Sequence, residues 1–245
     1  MTLLDSLPGL VDECGTADKL AATAAHWIAQ LSDSAIAARG RFSIALAGGT
    51  TPARLYATLA AAPLLDSVRW MDWHVFFGDE RACPPGDPSS NYQFAQTTLL
   101  GVAPIPAGQI HRMPADGADL DAAATEYSQL LGSLAGPDGI PRLDCILLGL
   151  GENGHTASLF PGTPALDGSD AWCTRGLADY EPFDRLTVTF PAINAARNVA
   201  FLVAGGKKAQ ALRDVVDGTA PAARVAPEAG TLIWFLDDDA VASVA

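Results

Sequence analysis

The chain is short of positive charge. Its 245 residues hold 15 Lys and Arg against 28 Asp and Glu, a net charge of −13. Nucleic-acid binders need a basic stripe to neutralise phosphates, and no cluster of Lys and Arg occurs, so no nucleic-acid partner is expected. The same shortage argues against docking on an anionic membrane surface. Cysteine is also sparse. Cys14, Cys83, Cys145 and Cys173 form no Cys-x-x-Cys pair, which reads as a reducing compartment, with Cys145 a buried thiol in an apolar run. No run of about 18 apolar residues is present, so no membrane span is expected. Met1 to Asp18 has no Lys or Arg and includes Asp5, Asp12 and Glu13, so no signal peptide is expected either. Together these point to a cytoplasmic protein.

Apolar material is ample: 49% of the residues are hydrophobic, enough for a sizeable core. The length suits one α/β domain, read here as residues 1–245. Thr16 to Arg39 has helical spacing, with Leu20, Ala24, Trp27, Ile28 and Leu31 on one face and Gly40 as a stop. Phe42 to Ala47 has the length of a buried strand. Gly48-Gly49-Thr50-Thr51-Pro52 breaks it, with Thr51 as cap and Pro52 in the first turn of a helix. Trp73 to Phe77 reads as a strand, Gly78 to Ser90 as a loop, and Asn91 to Leu100 and 117–134 as helices. Leu143 to Leu148, Leu186 to Phe190, Asn198 to Ala204 and Thr231 to Leu236 read as strands, and Lys207 to Val216 as a helix. Gly162 to Asp184 shows little periodicity and reads as irregular. Alternating strands and helices predict an α/β fold: a mostly parallel open sheet with helices on both faces, Rossmann-like. Ligands in such sheets bind at the carboxyl ends of the strands, where the Gly-rich loops lie.

Four strand-end segments could carry chemistry. Gly48, Gly49 and Thr50 precede a helix, whose free N–H groups and positive dipole end suit a phosphate; an ordinary tight turn is the plainer alternative. Asp79-Glu80-Arg81 brings charge to a strand end, where Arg81 could hold a phosphate or carboxylate with two hydrogen bonds, or pair with its neighbours on the surface. Ser90 and Asn91 offer further donors, or simply cap a helix. Gly149-Leu150-Gly151-Glu152-Asn153-Gly154-His155 contains a G-x-G-x-x-G, yet Pro161-Gly162 stops any helix of normal length, which argues against a dinucleotide site. What remains is a glycine-lined turn presenting His155, an imidazole able to take a proton from water near neutral pH. His26, His74 and His111 read as structural or surface residues. Gly205-Gly206-Lys207-Lys208 places lysines at a helix start, unfavourably for the dipole, so either an anionic ligand or plain exposure accounts for them. No Gly-x-Ser-x-Gly elbow and no His-Glu-x-x-His or Cys-x-x-Cys spacing occurs, so attack by water activated directly by a base fits better than a covalent or metal route.

Taken in order, these segments resemble the glucosamine-6-phosphate isomerase/6-phosphogluconolactonase family. The resemblance spans roughly residues 15 to 236. It rests on Leu46 to Pro52, Gly78 to Arg81 with Ser90-Asn91-Tyr92, Gly149 to Pro161, Arg185 to Thr189 and Gly205 to Lys208. It implies the fold of glucosamine-6-phosphate deaminase and ribose-5-phosphate isomerase. It also implies hydrolysis of 6-phospho-D-glucono-1,5-lactone, a small-molecule phosphosugar lactone, with no metal and no cofactor. His155 would be the general base. Gly48, Gly49, Thr50, Asp79, Arg81, Asn91, Arg185 and Lys208 would surround the phosphosugar. The family commonly has Asp where this chain has Asn153, which hydrogen-bonds without charge; Asp79 is the alternative source of a carboxylate. Thr156 to Pro161 departs from the Ile-Ala-Phe-Asn-Glu-Pro usual in the deaminases. A deaminase-like enzyme and a non-catalytic sugar-phosphate sensor are the other readings. A monomer or small homo-oligomer is expected.

Overall fold

A computed structural model of the chain describes residues 2–167 and 170–244. In chain order the elements are β1 (Leu10–Gly15), α1 (Ala17–Arg39), β2 (Phe42–Leu46), α2 (Thr50–Leu59), α3 (Leu64–Ser67), β3 (Trp73–Phe77), β4 (Asp79–Arg81), α4 (Asn91–Ala95), α5 (Leu120–Gly132), β5 (Cys145–Gly149), β6 (Cys173–Leu177), β7 (Asp184–Val188), α6 (Phe190–Ala195), β8 (Asn198–Val203), α7 (Ala209–Val216), β9 (Thr231–Asp237) and α8 (Asp238–Ala242).

Six strands form one sheet in the order β1-β9-β8-β5-β2-β3, and every pairing in it is parallel. Every residue of β2 is buried, and β8 and β9 are buried apart from their first residues. A strand buried on both alternating faces needs cover on both, as parallel sheets require. The apolar runs of the sequence are these central strands. Phe201 and Trp234 stack across β8 and β9 with ring centroids 3.9 Å apart. Trp73 donates its ring N–H to Ser32 on α1 at 2.7 Å, tying that helix to the far edge of the sheet.

Several expectations change. The helix over 16–39 forms, with Thr16 as its cap, accepting from the Lys19 N–H, and Gly40 closing it at φ 74°. For α2 the N-cap is Gly49 rather than Thr51, at φ 108°, a backbone conformation that glycine enters without a side-chain penalty. The stretch read as a loop over Gly78 to Ser90 contains β4. The irregular stretch over Gly162 to Asp184 contains β6, and its residues 168 and 169 lie outside the described residues. Both strands join β7 in a separate antiparallel sheet, β4-β7-β6. The strand placed at Leu186 to Phe190 starts two residues earlier and ends at Val188, because Thr189 caps α6 through the Ala192 N–H.

Candidate active site

The loops singled out in the sequence follow β8, β5, β2 and β3, four neighbouring strands of the sheet. Parallel strands point the same way, so all four loops emerge at one edge. At about 4.8 Å per strand gap, that front is about 14 Å wide. They enclose a cleft of about 260 Å³. Gly48, Gly49, Thr50, Asp79, Arg81, Asn91, His155 and Lys208 all line it. Asn153 and Arg185 do not line it, but each contacts a residue that does.

The double-glycine loop is fixed from beneath. The Tyr56 hydroxyl donates to the Ala47 carbonyl at 2.7 Å and accepts from the Ala47 N–H at 3.0 Å. Gly48 has no room for a side chain, since a Cβ there would overlap the Asn91 amide. The first N–H groups of α2 have no partner within the helix.

β4 sorts its three charged residues by the alternation of a strand. Asp79 and Arg81 reach the cleft, whereas Glu80 turns inward and is 4% exposed. The surface ion pair considered from the sequence does not form. Instead the Glu80 carboxylate accepts from the Arg81, Asn91 and Tyr92 N–H groups and the Ser90 hydroxyl, at 2.7 to 2.9 Å, and so organises the start of α4. Burial raises its pKa against these bonds. Asp79 accepts from Ser158 Oγ at 2.6 Å and from Asn91 Nδ2 at 3.0 Å. Arg81 donates to the Ser89 carbonyl. It stands opposite Arg185 in the pairing of β4 with β7. Arg185 is 1% exposed and lies under Tyr180, its guanidinium carbon 5.1 Å from the ring centroid. Among the described residues, Arg81 Nε and Arg185 Nε and Nη2 find no hydrogen-bond partner. Burial, then the Arg81 charge, lowers the Arg185 pKa. Lys208 donates to the Leu150 carbonyl at 2.7 Å, and burial lowers its pKa.

The turn after β5 holds His155 tightly. The Gly151 N–H donates to the His155 carbonyl at 2.8 Å, and the Gly154 N–H to the Gly151 carbonyl at 3.0 Å. A Cβ on Gly151 would overlap the imidazole itself. The ring stacks on Phe160, centroids 4.0 Å apart. Asn153 Oδ1 accepts from the His155 backbone N–H at 3.2 Å and from its Nδ1–H at 2.6 Å. An amide oxygen only accepts, so Nδ1 carries the proton and Nε2 keeps a lone pair. Asn153 therefore orients the imidazole, and Asp79 makes no hydrogen bond to it. Burial lowers the pKa of His155; Asp79 and then Asp179 act in the opposite direction through their charge.

The sequence reading missed Tyr180, which lines the cleft, and Asp179 beside it. Both sit in the stretch taken as irregular, and no local signal marks them. Ser158 and Phe160 lay within the run used for the resemblance, though no role was given to either. His26 donates to the Ala22 carbonyl on α1, and His74 and His111 stack on one another away from the cleft. Among the described residues no group of three or more His, Cys, Asp or Glu side chains could hold a metal ion, and no helix is long and apolar enough to cross a membrane.

Residues 15–234 match the family described as glucosamine-6-phosphate isomerases/6-phosphogluconolactonase. The chain belongs to that family. Within the family, a 6-phosphogluconolactonase of a Synechocystis strain is 45% identical over 213 residues, 84% of this chain and 86% of that protein. The solved structure of 6-phosphogluconolactonase from Trypanosoma brucei superposes with a TM-score of 0.85 at 27% identity, covering 98% of this chain and 100% of that one. A monomeric glucosamine-6-phosphate deaminase superposes at 0.82 with 23% identity, over 96% of this chain and 99% of that one, and so shares the fold. The α/β fold expected from the resemblance is thus the fold of the family.

Proposed function

We propose that the chain is a lactonase that hydrolyses 6-phospho-D-glucono-1,5-lactone to 6-phosphogluconate in the oxidative pentose phosphate pathway. The observation that carries this reading is the state of His155: Nδ1 keeps its proton and donates it in a hydrogen bond to Asn153 Oδ1, which leaves Nε2 basic on a ring that lines the cleft. The similarity to 6-phosphogluconolactonases supports it independently.

In this reading the substrate phosphate meets the Gly48-Gly49-Thr50 loop, Arg81 and Lys208. Arg185 stands behind Arg81 and adds positive potential in a protein whose net charge is −13. Screening over about 10 Å at 0.1 M salt lets this local cluster prevail over distant carboxylates. Asn91 and Asp79 hold each other and bound the sugar side of the cleft. Anchoring at the phosphate brings the lactone carbonyl to His155. Nε2 removes a proton from water as the water adds to the carbonyl. A tetrahedral oxyanion forms and is held by N–H groups or cationic side chains. It collapses with cleavage of the ring C–O bond, and the imidazolium returns its proton to the leaving oxygen. No metal or organic cofactor enters this scheme.

Residues 1–245 act as one domain in this reading, as a monomer or small homo-oligomer, in the cytoplasm. The four free thiols suit a reducing compartment. The test is turnover of the phosphorylated lactone above its spontaneous opening. Release of ammonia from glucosamine-6-phosphate would point to a deaminase instead, and binding of 6-phosphogluconate without lactone turnover to a sensor.

A further inference from the structure

Asn153 does not stand alone behind His155. Its amide nitrogen donates to Asp179 Oδ2 at 3.2 Å, while its amide oxygen faces His155. Three groups therefore lie in a row: carboxylate, amide, imidazole. An amide can be turned end for end, which exchanges donor for acceptor. Both neighbours act on that choice. The His155 backbone N–H needs an acceptor, and the Asp179 carboxylate needs a donor, so both fix the oxygen on the side of the imidazole. The reversed amide would put an NH₂ group against Nδ1. The proton would then move to Nε2, and the ring would have no basic nitrogen left for the cleft.

We propose that Asp179 is a positioning residue for the reaction: through Asn153 it fixes the orientation and tautomer of His155, and its charge stabilises the imidazolium formed when water is deprotonated. This rests on the lactonase reading. Asp179 sits in the turn between β6 and β7, next to Tyr180, which lines the cleft and packs its ring edge on Phe160, the ring that stacks on His155. The Ala178 N–H donates to the Phe183 carbonyl at 2.7 Å and closes the turn. The short antiparallel sheet thus has a purpose in the site. β4 delivers Asp79 and Arg81, and the turn joining its other two strands delivers the carboxylate behind the base. The negative charge is present without being next to the histidine in sequence.

Charge at Asp79 also faces the imidazole, and Lys208 and Arg185 oppose it. The Asp179–Asn153 bond is exposed to water, so the expected effect is moderate. In Asp179→Ala, kcat falls about fivefold with KM unchanged, and the acid limb of the kcat/KM profile moves to lower pH, because removing a negative charge weakens the base. In Asn153→Asp the carboxylate bonds His155 directly and Asp179 has no amide left to orient. The same Asp179→Ala change should then leave the tautomer as it is and cost less turnover, only what the loss of a more distant charge costs. The experiment compares wild type, both single variants and the double variant by lactone turnover against pH, with imidazole ¹⁵N shifts of His155 reporting tautomer and pKa. The expected result is a partial shift away from the Nδ1–H tautomer in Asp179→Ala, since the His155 backbone N–H still favours the amide oxygen, and its restoration in the double variant. An unchanged tautomer and unchanged acid limb in Asp179→Ala would overturn the proposal. So would a loss of turnover of equal size in the Asn153→Asp background, which would mean that Asp179 acts without Asn153. If the wild type fails to hydrolyse the lactone, the lactonase reading falls, and the ¹⁵N shifts still decide the positioning role.

Discussion

Arg81 and Arg185 stand directly opposite each other in the pairing of β4 with β7. Like charges at such positions repel, and Arg81 Nε with Arg185 Nε and Nη2 find no hydrogen-bond partner among the described residues. In the proposed reading these two guanidinium groups favour the anionic phosphate of the substrate. Arg81→Ala should raise KM for the phosphorylated lactone about tenfold or more, the worth of one or two charged hydrogen bonds. Turnover of the unphosphorylated lactone should change far less. Equal losses on both substrates would remove the phosphate role.

Gly151 tests how strictly His155 must be placed. A methyl group there would overlap the imidazole. Gly151→Ala should leave the fold intact, since the overlap falls on one side chain beyond the end of β5 and not on the core. Displacing a reacting group by about 1 Å can cost about 10²-fold in rate, and kcat should fall on that scale. Circular dichroism with steady-state kinetics checks both halves of the prediction.

In the proposed mechanism the pH dependence of catalysis follows from His155. Burial holds its pKa below the ordinary imidazole value of about 6.5. Only the neutral ring is a base, so kcat/KM should rise with pH to an upper plateau and fall on the acid side. The half-point should lie below about 6.5. A half-point above that value would contradict the burial seen here.

One pair of histidines, away from the cleft, bears on stability rather than rate. His74 Nδ1 and His111 Nε2 are 3.4 Å apart, and burial lowers both pKa values, with Arg41 acting on His74 and His74 on His111. The folded chain then binds fewer protons than the unfolded one just below pH 6.5. Their contribution is intact above the unfolded value and is lost as pH falls through the folded ones. The melting temperature should drop between pH 8 and pH 5.5, and less so in a His74→Asn, His111→Asn variant.

The loops that line the cleft were more legible in the sequence than the scaffold around them. The loops after β2, β3, β5 and β8 were legible because each follows an apolar run broken by glycine, and parallel strands bring such breaks to one edge. β1 was not legible: Leu10–Gly15 lies at a sheet edge, half exposed, with Asp12 and Glu13 in place of an apolar run. β4 is three charged residues, whose pairing with β7 is decided more than a hundred positions away. Glu80 looked like surface charge and is buried, because four donors gather around it only in the fold. Asp179 was invisible for the same reason. Its partner Asn153 is 26 residues distant, and nothing local to either one specifies the contact.

The account as a whole turns on the basic nitrogen of one imidazole. The direct measurement is hydrolysis of 6-phospho-D-glucono-1,5-lactone by wild type and His155→Ala near neutral pH, corrected for spontaneous opening. General-base assistance is worth about 10²–10⁴-fold, so kcat should fall by that factor while KM stays within a few-fold. A variant that turns over as fast as the wild type would contradict the assignment of His155 as the base.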